Sequence, residues 1–166
     1  MNHVIDRRWA LLDDNGLMGK LVGDAGIRAL VCADLACGAV EVSPGSSRAF
    51  ERIVRQHRGT PLEELTRHAA TFGLASDAML AALAVRAAFR VRVSVDVVET
   101  GRDGTATAQS AARCEWLLEA ANHGQVVASS AAVDLASDAI ADVMQLTDLG
   151  VHHIRRRPDR MCQPCR

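Results

Sequence analysis

Hydrophobic and polar positions along the chain follow two different periods, which predict a mixture of strands and helices. The clearest strand is the segment 91–97, where apolar residues alternate with polar ones. The segments 28–36 and 125–129 are short apolar runs that predict buried strands. The segment 77–89 carries Ala, Met, Leu and Val on most faces, which predicts a buried helix with Ser76 as its cap.

Turn, cap and breaker residues predict the remaining elements. They are a helix over 48–57 that follows the loop 43–47 and stops at Gly59, a possible hairpin over 61–72, a turn at 101–104, helices over 111–121 and 130–136, and one or two short strands around Gly150. Helices and strands alternate unevenly, and the hairpins make the sheet mixed. This order favours an α+β sandwich of the ferredoxin-like kind over a doubly wound parallel sheet.

The chain is long enough for one domain with a single core, at 166 residues and 49% hydrophobic composition. We expect a lead-in over residues 1–26 and the domain over 27–166. The net charge of −1 gives no support for nucleic-acid binding. No apolar run approaches the roughly 20 residues of a membrane span, and the N-terminus lacks the apolar core of a signal peptide. We therefore expect a cytoplasmic protein without a membrane partner, whose five cysteines are free thiols.

Four segments of the second half carry motifs in a distinctive order. They are 109–113 (Gln-Ser-Ala-Ala-Arg), 121–129 (Ala-Asn-His-Gly-Gln-Val-Val-Ala-Ser), 146–152 (Leu-Thr-Asp-Leu-Gly-Val-His) and 157–160 (Arg-Pro-Asp-Arg). This order resembles the class III nucleotidyl cyclase catalytic domain, where a V-N-x-A-A-R helix, an A-x-x-G-Q-V-L-V-S strand and a D-x-G-x-H-x-L-(K/R) hairpin follow each other. His152 matches the hairpin histidine. Weaker similarities extend the resemblance over roughly residues 28–164, and it implies the cyclase fold and a bacterial, actinobacterial-like member.

The resemblance also implies a metal site, because two carboxylates of the family hold two divalent ions. Asp34 matches the first of these carboxylates. The second belongs in the hairpin at residues 65–68, which here reads Leu-Thr-Arg-His. Glu63 or Glu64 could substitute for it, with Mg²⁺ or Mn²⁺ as the ion if the protein is active. One carboxylate alone is a poor magnesium site.

Other catalytic positions of the family are altered. Arg113 matches the arginine that stabilises the transition state, whereas Gln109 replaces the asparagine that accompanies it. The purine-selecting lysine is absent, since Lys20 is the last lysine of the chain, and Glu63 falls near that position. The resemblance therefore implies a cyclase-homology domain that has lost or nearly lost catalysis. ATP or GTP would be its ligand, and a second copy or a related cyclase would be its dimer partner.

Two alternatives stay open at this stage. The first is a working adenylate cyclase that makes cyclic AMP from ATP with Glu63 or Glu64 as substitute ligand. The second is a small zinc-dependent interaction protein that uses Cys162 and Cys165, with Cys32 and Cys37 as a second pair. The key residues also have structural interpretations: Asp34 as a strand-end carboxylate, Arg113 as a solvated or dimer-interface arginine, and the arginines of 155–160 as a solvated basic tail.

Overall fold

The computed structural model describes residues 26–35, 43–62, 67–100, 108–154 and 157–165. Within these ranges seven strands form one mixed sheet, and four helices accompany it. This arrangement confirms the predicted α+β architecture. The elements in chain order are β1 (Gly26–Ala33), α1 (Pro44–Gln56), β2 (Gly59–Leu62), β3 (His68–Phe72), α2 (Ala75–Phe89), β4 (Val93–Thr100), α3 (Ala108–Ala120), β5 (Val126–Ser129), α4 (Ser130–Ile140), β6 (Gln145–Ile154) and β7 (Arg157–Cys165). The predicted lead-in lies outside the described residues except for Gly26, and so does the predicted turn at 101–104.

The strand order is β2-β3-β1-β4-β5-β7-β6. Strand β1 pairs antiparallel with both β3 and β4, and only the pair formed by β4 and β5 is parallel within the described part of the sheet. At the end of β1, Ala33 lies opposite His68 of β3 and Val93 of β4. Asp34 after β1, Arg67 before β3 and Arg92 before β4 therefore lie next to one another at this end of the strands.

Two helix boundaries differ from their predictions for local reasons. Helix α1 begins at Pro44, because the Ser43 side chain caps the helix by accepting a hydrogen bond from the Ser46 N–H. Residues 44–47, which the sequence assigned to a loop and helix start, thus form the first turn of the helix. Helix α2 begins at Ala75 with Leu74 at the N-cap and no side-chain cap bond. The prediction that Ser76 caps this helix is therefore wrong, since Ser76 lies inside the first turn.

The C-terminal elements are longer than predicted. Helix α4 continues to Ile140, because Ala132, Ala136 and Ile140 repeat every four residues and are all buried. Strands β6 and β7 have 10 and 9 residues and pair along their length. Arg157 and Arg160 thus lie in a strand, where the sequence suggested a loop.

The helices divide between the two faces of the sheet. Helices α1, α2 and α4 cover one face over a large apolar core that includes Phe50, Phe72 and Met79. Helix α3 covers the other face, where Cys114 and Leu118 pack against β1 and β4. We call these the three-helix face and the α3 face. Among the described residues no helix has the length and apolarity that would let it cross a membrane.

Candidate functional site

Asp34 lies directly after β1, where its carboxylate is held by an arginine of the neighbouring chain segment. The backbone N–H of Asp34 donates to the carbonyl of Arg92 at 3.2 Å. Asp34 Oδ2 accepts hydrogen bonds from Arg92 Nε at 2.8 Å and from Arg92 Nη2 at 2.6 Å. The Asp34 side chain is 18% exposed. These charge-assisted bonds fix the carboxylate in a mostly buried position.

A second guanidinium group approaches the same carboxylate oxygen. Arg67 Nη1 lies 3.5 Å from Asp34 Oδ2, and within the described ranges this nitrogen is buried without a hydrogen-bond partner. Glu115 of α3 interacts electrostatically with Arg67. Burial raises the pKa of the Glu115 carboxyl, the positive charge of Arg67 opposes that shift, and the negative charge of Glu119 adds to it. We refer to Asp34, Arg67, Arg92 and Glu115 as the Asp34 cluster.

The Asp34 cluster does not fit a divalent cation. Both hydrogen bonds from Arg92 and the contact with Arg67 are made at Asp34 Oδ2, so a cation near this carboxylate would be repelled by two guanidinium groups. In the part of the chain that the structure describes, no three His, Cys, Asp or Glu side chains are grouped as a metal site. Glu63 and Glu64, the substitute ligands suggested by the sequence, lie outside the described residues.

Arg113 projects from α3 onto a buried carboxylate of β4. Arg113 Nε donates to Asp96 Oδ2 at 2.6 Å, and Arg113 Nη2 donates to Asp96 Oδ1 at 2.7 Å and to the carbonyl of Val97 at 3.1 Å. The Asp96 side chain is fully buried, whereas that of Arg113 is 42% exposed. Two parallel bonds of this kind hold the guanidinium against the sheet. Any action of Arg113 on a ligand would have to involve its solvent-exposed side or release from Asp96.

The remaining positions drawn from the resemblance are only partly placed. Gln109 lies in the first turn of α3, one helical turn before Arg113. Glu63, as the purine-selecting position, lies outside the described residues. The roles of both residues stay predictions.

The cysteines give little support to the zinc hypothesis. Cys162 and Cys165 both lie in the extended strand β7, where residues three apart are separated by about 10 Å along the backbone. Such a separation is unfavourable for two ligands of one tetrahedral zinc ion. Cys32 is buried as a free thiol on the α3 face, and Cys37 lies outside the described residues.

Cys114 is a second buried free thiol on this face. Its Sγ lies 3.4 Å from Ser94 Oγ and donates to the carbonyl of Leu30 at 3.5 Å. Burial raises the pKa of the Cys114 thiol well above its ordinary value, and the neighbouring Cys32 adds to this shift. A neutral, enclosed thiol is a poor nucleophile, so its contribution is to packing.

His68 begins β3 beside Arg67 and contacts the first turns of α1. Its Nε2 lies 2.9 Å from Ser47 Oγ, and its ring meets Phe50 edge-on with centroids 5.4 Å apart. Burial lowers the pKa of His68, while Glu51 opposes that shift. Burial therefore favours the neutral imidazole, and the contacts of His68 link β3 to α1.

Sequence reasoning did not identify Arg92, Asp96 or Glu115 as members of these clusters. The strand 91–97 alternates polar and apolar residues, which placed Arg92 and Asp96 on one face of the sheet. That alternation normally marks a solvated face. Helix α3 covers it instead, and only an ionic partner such as Arg113 makes the burial of Asp96 tolerable.

The fold is shared with solved structures of cyclase domains. An adenylate/guanylate cyclase/hydrolase from Silicibacter pomeroyi matches with a TM-score of 0.68 and 18% identity, over 87% of this chain and 99% of that chain. The adenylyl cyclase CyaB from P. aeruginosa matches with a TM-score of 0.66 and 14% identity, over 87% and 95% of the two chains.

A nucleotide complex is among the similar structures. The guanylate cyclase domain of RhGC from Catenaria anguillulae, in complex with GTP, has a TM-score of 0.63 and 8% identity, over 85% of this chain and 95% of that chain. No protein-family model and no curated protein sequence matches the chain. The chain therefore has the fold of adenylate and guanylate cyclase catalytic domains, at identities where the likeness shows the fold alone.

Proposed function

We propose that this chain is a cyclase-homology domain without efficient catalysis, which acts as a nucleotide-binding or dimer-forming regulatory module in bacterial cyclic-nucleotide signalling. The observation that carries the proposal is the occupation of Asp34 by guanidinium groups. The residue that corresponds to a metal carboxylate is bonded to Arg92 and approached by Arg67. A cyclase needs a cation at this position to activate the attacking hydroxyl and to bridge the phosphates.

The second catalytic position supports the same proposal. Arg113 corresponds to the transition-state arginine, but its guanidinium is bonded to the buried Asp96. Together with Gln109 in place of asparagine, this arrangement weakens the stabilisation of charge that develops at the α-phosphate. Each tenfold loss of rate corresponds to about 1.4 kcal/mol, so losing a metal and a transition-state donor removes several orders of magnitude.

Nucleotide binding and dimerisation rest on the fold and on the sequence resemblance. The GTP complex of the similar guanylate cyclase domain supports a nucleotide as the ligand to test first. We take ATP and GTP as candidates, and a second copy of the chain or a related cyclase as the candidate partner. We propose that helix α3 forms part of the pairing surface, since it carries the positions that the family resemblance places at a shared site.

The test is production of cyclic AMP and cyclic GMP by the purified protein with MnATP or MnGTP. We expect no product above the level of the Asp34→Ala variant, and we expect that level to be independent of Mn²⁺. Product that disappears in both Asp34→Ala and Arg113→Ala would overturn the proposal. It would instead support a working cyclase that uses Glu63 or Glu64 as the second ligand.

A further inference from the structure

The guanidinium group of Arg67, in the Asp34 cluster, does not make all the hydrogen bonds that it could donate. Its Nη1 is buried and lacks a hydrogen-bond acceptor among the described residues, and its approach to Asp34 Oδ2 at 3.5 Å is an ion pair without a hydrogen bond. The side chain as a whole is 24% exposed. A buried charged donor without an acceptor is unfavourable, so an acceptor supplied from solvent would be bound favourably.

Neither carboxylate of the cluster accepts a hydrogen bond from Arg67 Nη1. Asp34 Oδ2 already accepts two hydrogen bonds from Arg92, at 2.8 Å and 2.6 Å. Glu115 is buried in α3, where burial raises the pKa of its carboxyl and Arg67 opposes that shift. The group left without a partner in the described part of the chain is therefore a cationic donor, which an anion rather than a cation would satisfy.

Phosphate is the oxyanion that fits this arrangement. A guanidinium group presents its N–H donors in a planar fork that matches two oxygens of a phosphate group. Arg92 is anchored by Asp34 and contributes a second positive charge beside the fork of Arg67. Arg67 also belongs to the segment 65–68, where the family resemblance places the second metal carboxylate, close to where a nucleotide would lie if the proposed function is correct.

We infer that Arg67, supported by the Arg92–Asp34 pair, binds a phosphate group of a nucleotide without a divalent metal. The inference rests on the nucleotide-binding form of the proposed function and adds to it that arginine replaces the metal. Free nucleotide should then bind better than its magnesium complex, because magnesium neutralises the oxygens that Arg67 needs.

The experiment is isothermal titration calorimetry of the full chain with ATP, GTP and inorganic tripolyphosphate, each in EDTA and in excess Mg²⁺. We expect ATP or GTP to bind in EDTA, and to bind less tightly in Mg²⁺. Arg67→Ala should weaken binding by about tenfold to a hundredfold, the usual effect of losing a charged hydrogen bond. Arg67→Lys should recover part of the loss. Arg52→Ala, which removes an exposed arginine of α1, is the matched control and should bind as the wild type does.

Several outcomes would overturn the inference. Binding that requires Mg²⁺ would show a cation site and would leave nucleotide binding itself intact. Equal affinities of Arg67→Ala and Arg52→Ala, with both proteins folded by circular dichroism, would place the phosphate elsewhere. Absence of binding in either buffer would overturn the inference and leave dimer formation as the remaining form of the proposed function. Tripolyphosphate binding as tightly as ATP would retain the phosphate site and show that base and ribose contribute little.

Discussion

The two faces of the sheet are built from the same strands but bury different kinds of side chain. The three-helix face buries a continuous set of aliphatic and aromatic side chains, with Phe72 and Met79 essentially inaccessible. The α3 face buries two thiols, a serine and the carboxylates of Asp96 and Glu115 among a few leucines. Apolar burial stabilises the first face directly, although Asp77 of α2 is buried as well and pairs with Arg58. The α3 face depends more on ion pairs, because Asp96 is fully buried between β4 and α3.

The largest effect is expected on the three-helix face. Phe72→Ala removes a ring that is 1% exposed at the centre of the core and should lower the free energy of unfolding by about 3–5 kcal/mol. Urea unfolding followed by circular dichroism would measure it. Leu74→Ala, at a side chain that is 56% exposed, is the control and should change stability by no more than about 0.5 kcal/mol. Similar losses in the two variants would contradict the assignment of this core.

The next effect tests the ionic dependence of the α3 face. Arg113→Ala leaves the fully buried Asp96 without its counter-charge and should cost about 3 kcal/mol, towards the lower end of the range for buried pairs because Arg113 is partly exposed. The measurement is the same urea titration. Replacing both residues by uncharged ones, as in the Asp96→Asn/Arg113→Met double variant, should recover part of the loss. A double variant less stable than Arg113→Ala would show that the Asp96 charge is not the cause.

A smaller effect concerns the packing of the edge strand β2. A Cβ at Gly59 would overlap the ring of Phe72, which lies directly against this glycine. Gly59→Ala should therefore destabilise the protein by about 1–3 kcal/mol. Gly26→Ala is the matched control, because nothing lies within 4 Å of the added Cβ there. Thermal unfolding of both variants would check the difference, and equal midpoints would argue against this close contact.

The smallest effect is a pH dependence of stability that arises from His68 at the start of β3. Burial lowers the pKa of His68 below the ordinary value of 6.5, so the folded state favours the neutral imidazole. The unfolded state then binds the proton more readily, and the contribution of His68 to stability is present above pH 6.5 and lost as the pH falls below it. His68→Gln should give a shallower loss of unfolding free energy between pH 6.5 and pH 5. An unchanged slope would assign the dependence to other groups.

The sequence predicted the types of the central elements well, because they follow simple periodic rules. The alternation over 91–97, the apolar runs at 28–36 and 125–129, and the apolar segment 77–89 all gave elements of the observed type. The start of α2 and the end of α4 were less accurate, since no side-chain cap marks the first and buried residues extend the second to Ile140.

The candidate site was predictable only in part. Asp34 was correctly placed at the end of a strand and Arg113 on a helix, because their neighbours carry strong local patterns. Their partners were not predictable: Arg92 is 58 residues from Asp34, and Asp96 is 17 residues from Arg113. Nothing in a local pattern indicates which charged side chains will meet across such separations.

By itself, the sequence determined the kinds of elements and their order. These follow from periodicity and residue type, which are properties of short segments. The tertiary structure alone decided that Arg92 and Arg67 occupy the carboxylate of Asp34 and that Asp96 holds Arg113. The physical reason is that the energy of a charge depends on burial and on the distance to its partners, and both quantities exist only once the strands and helices are packed.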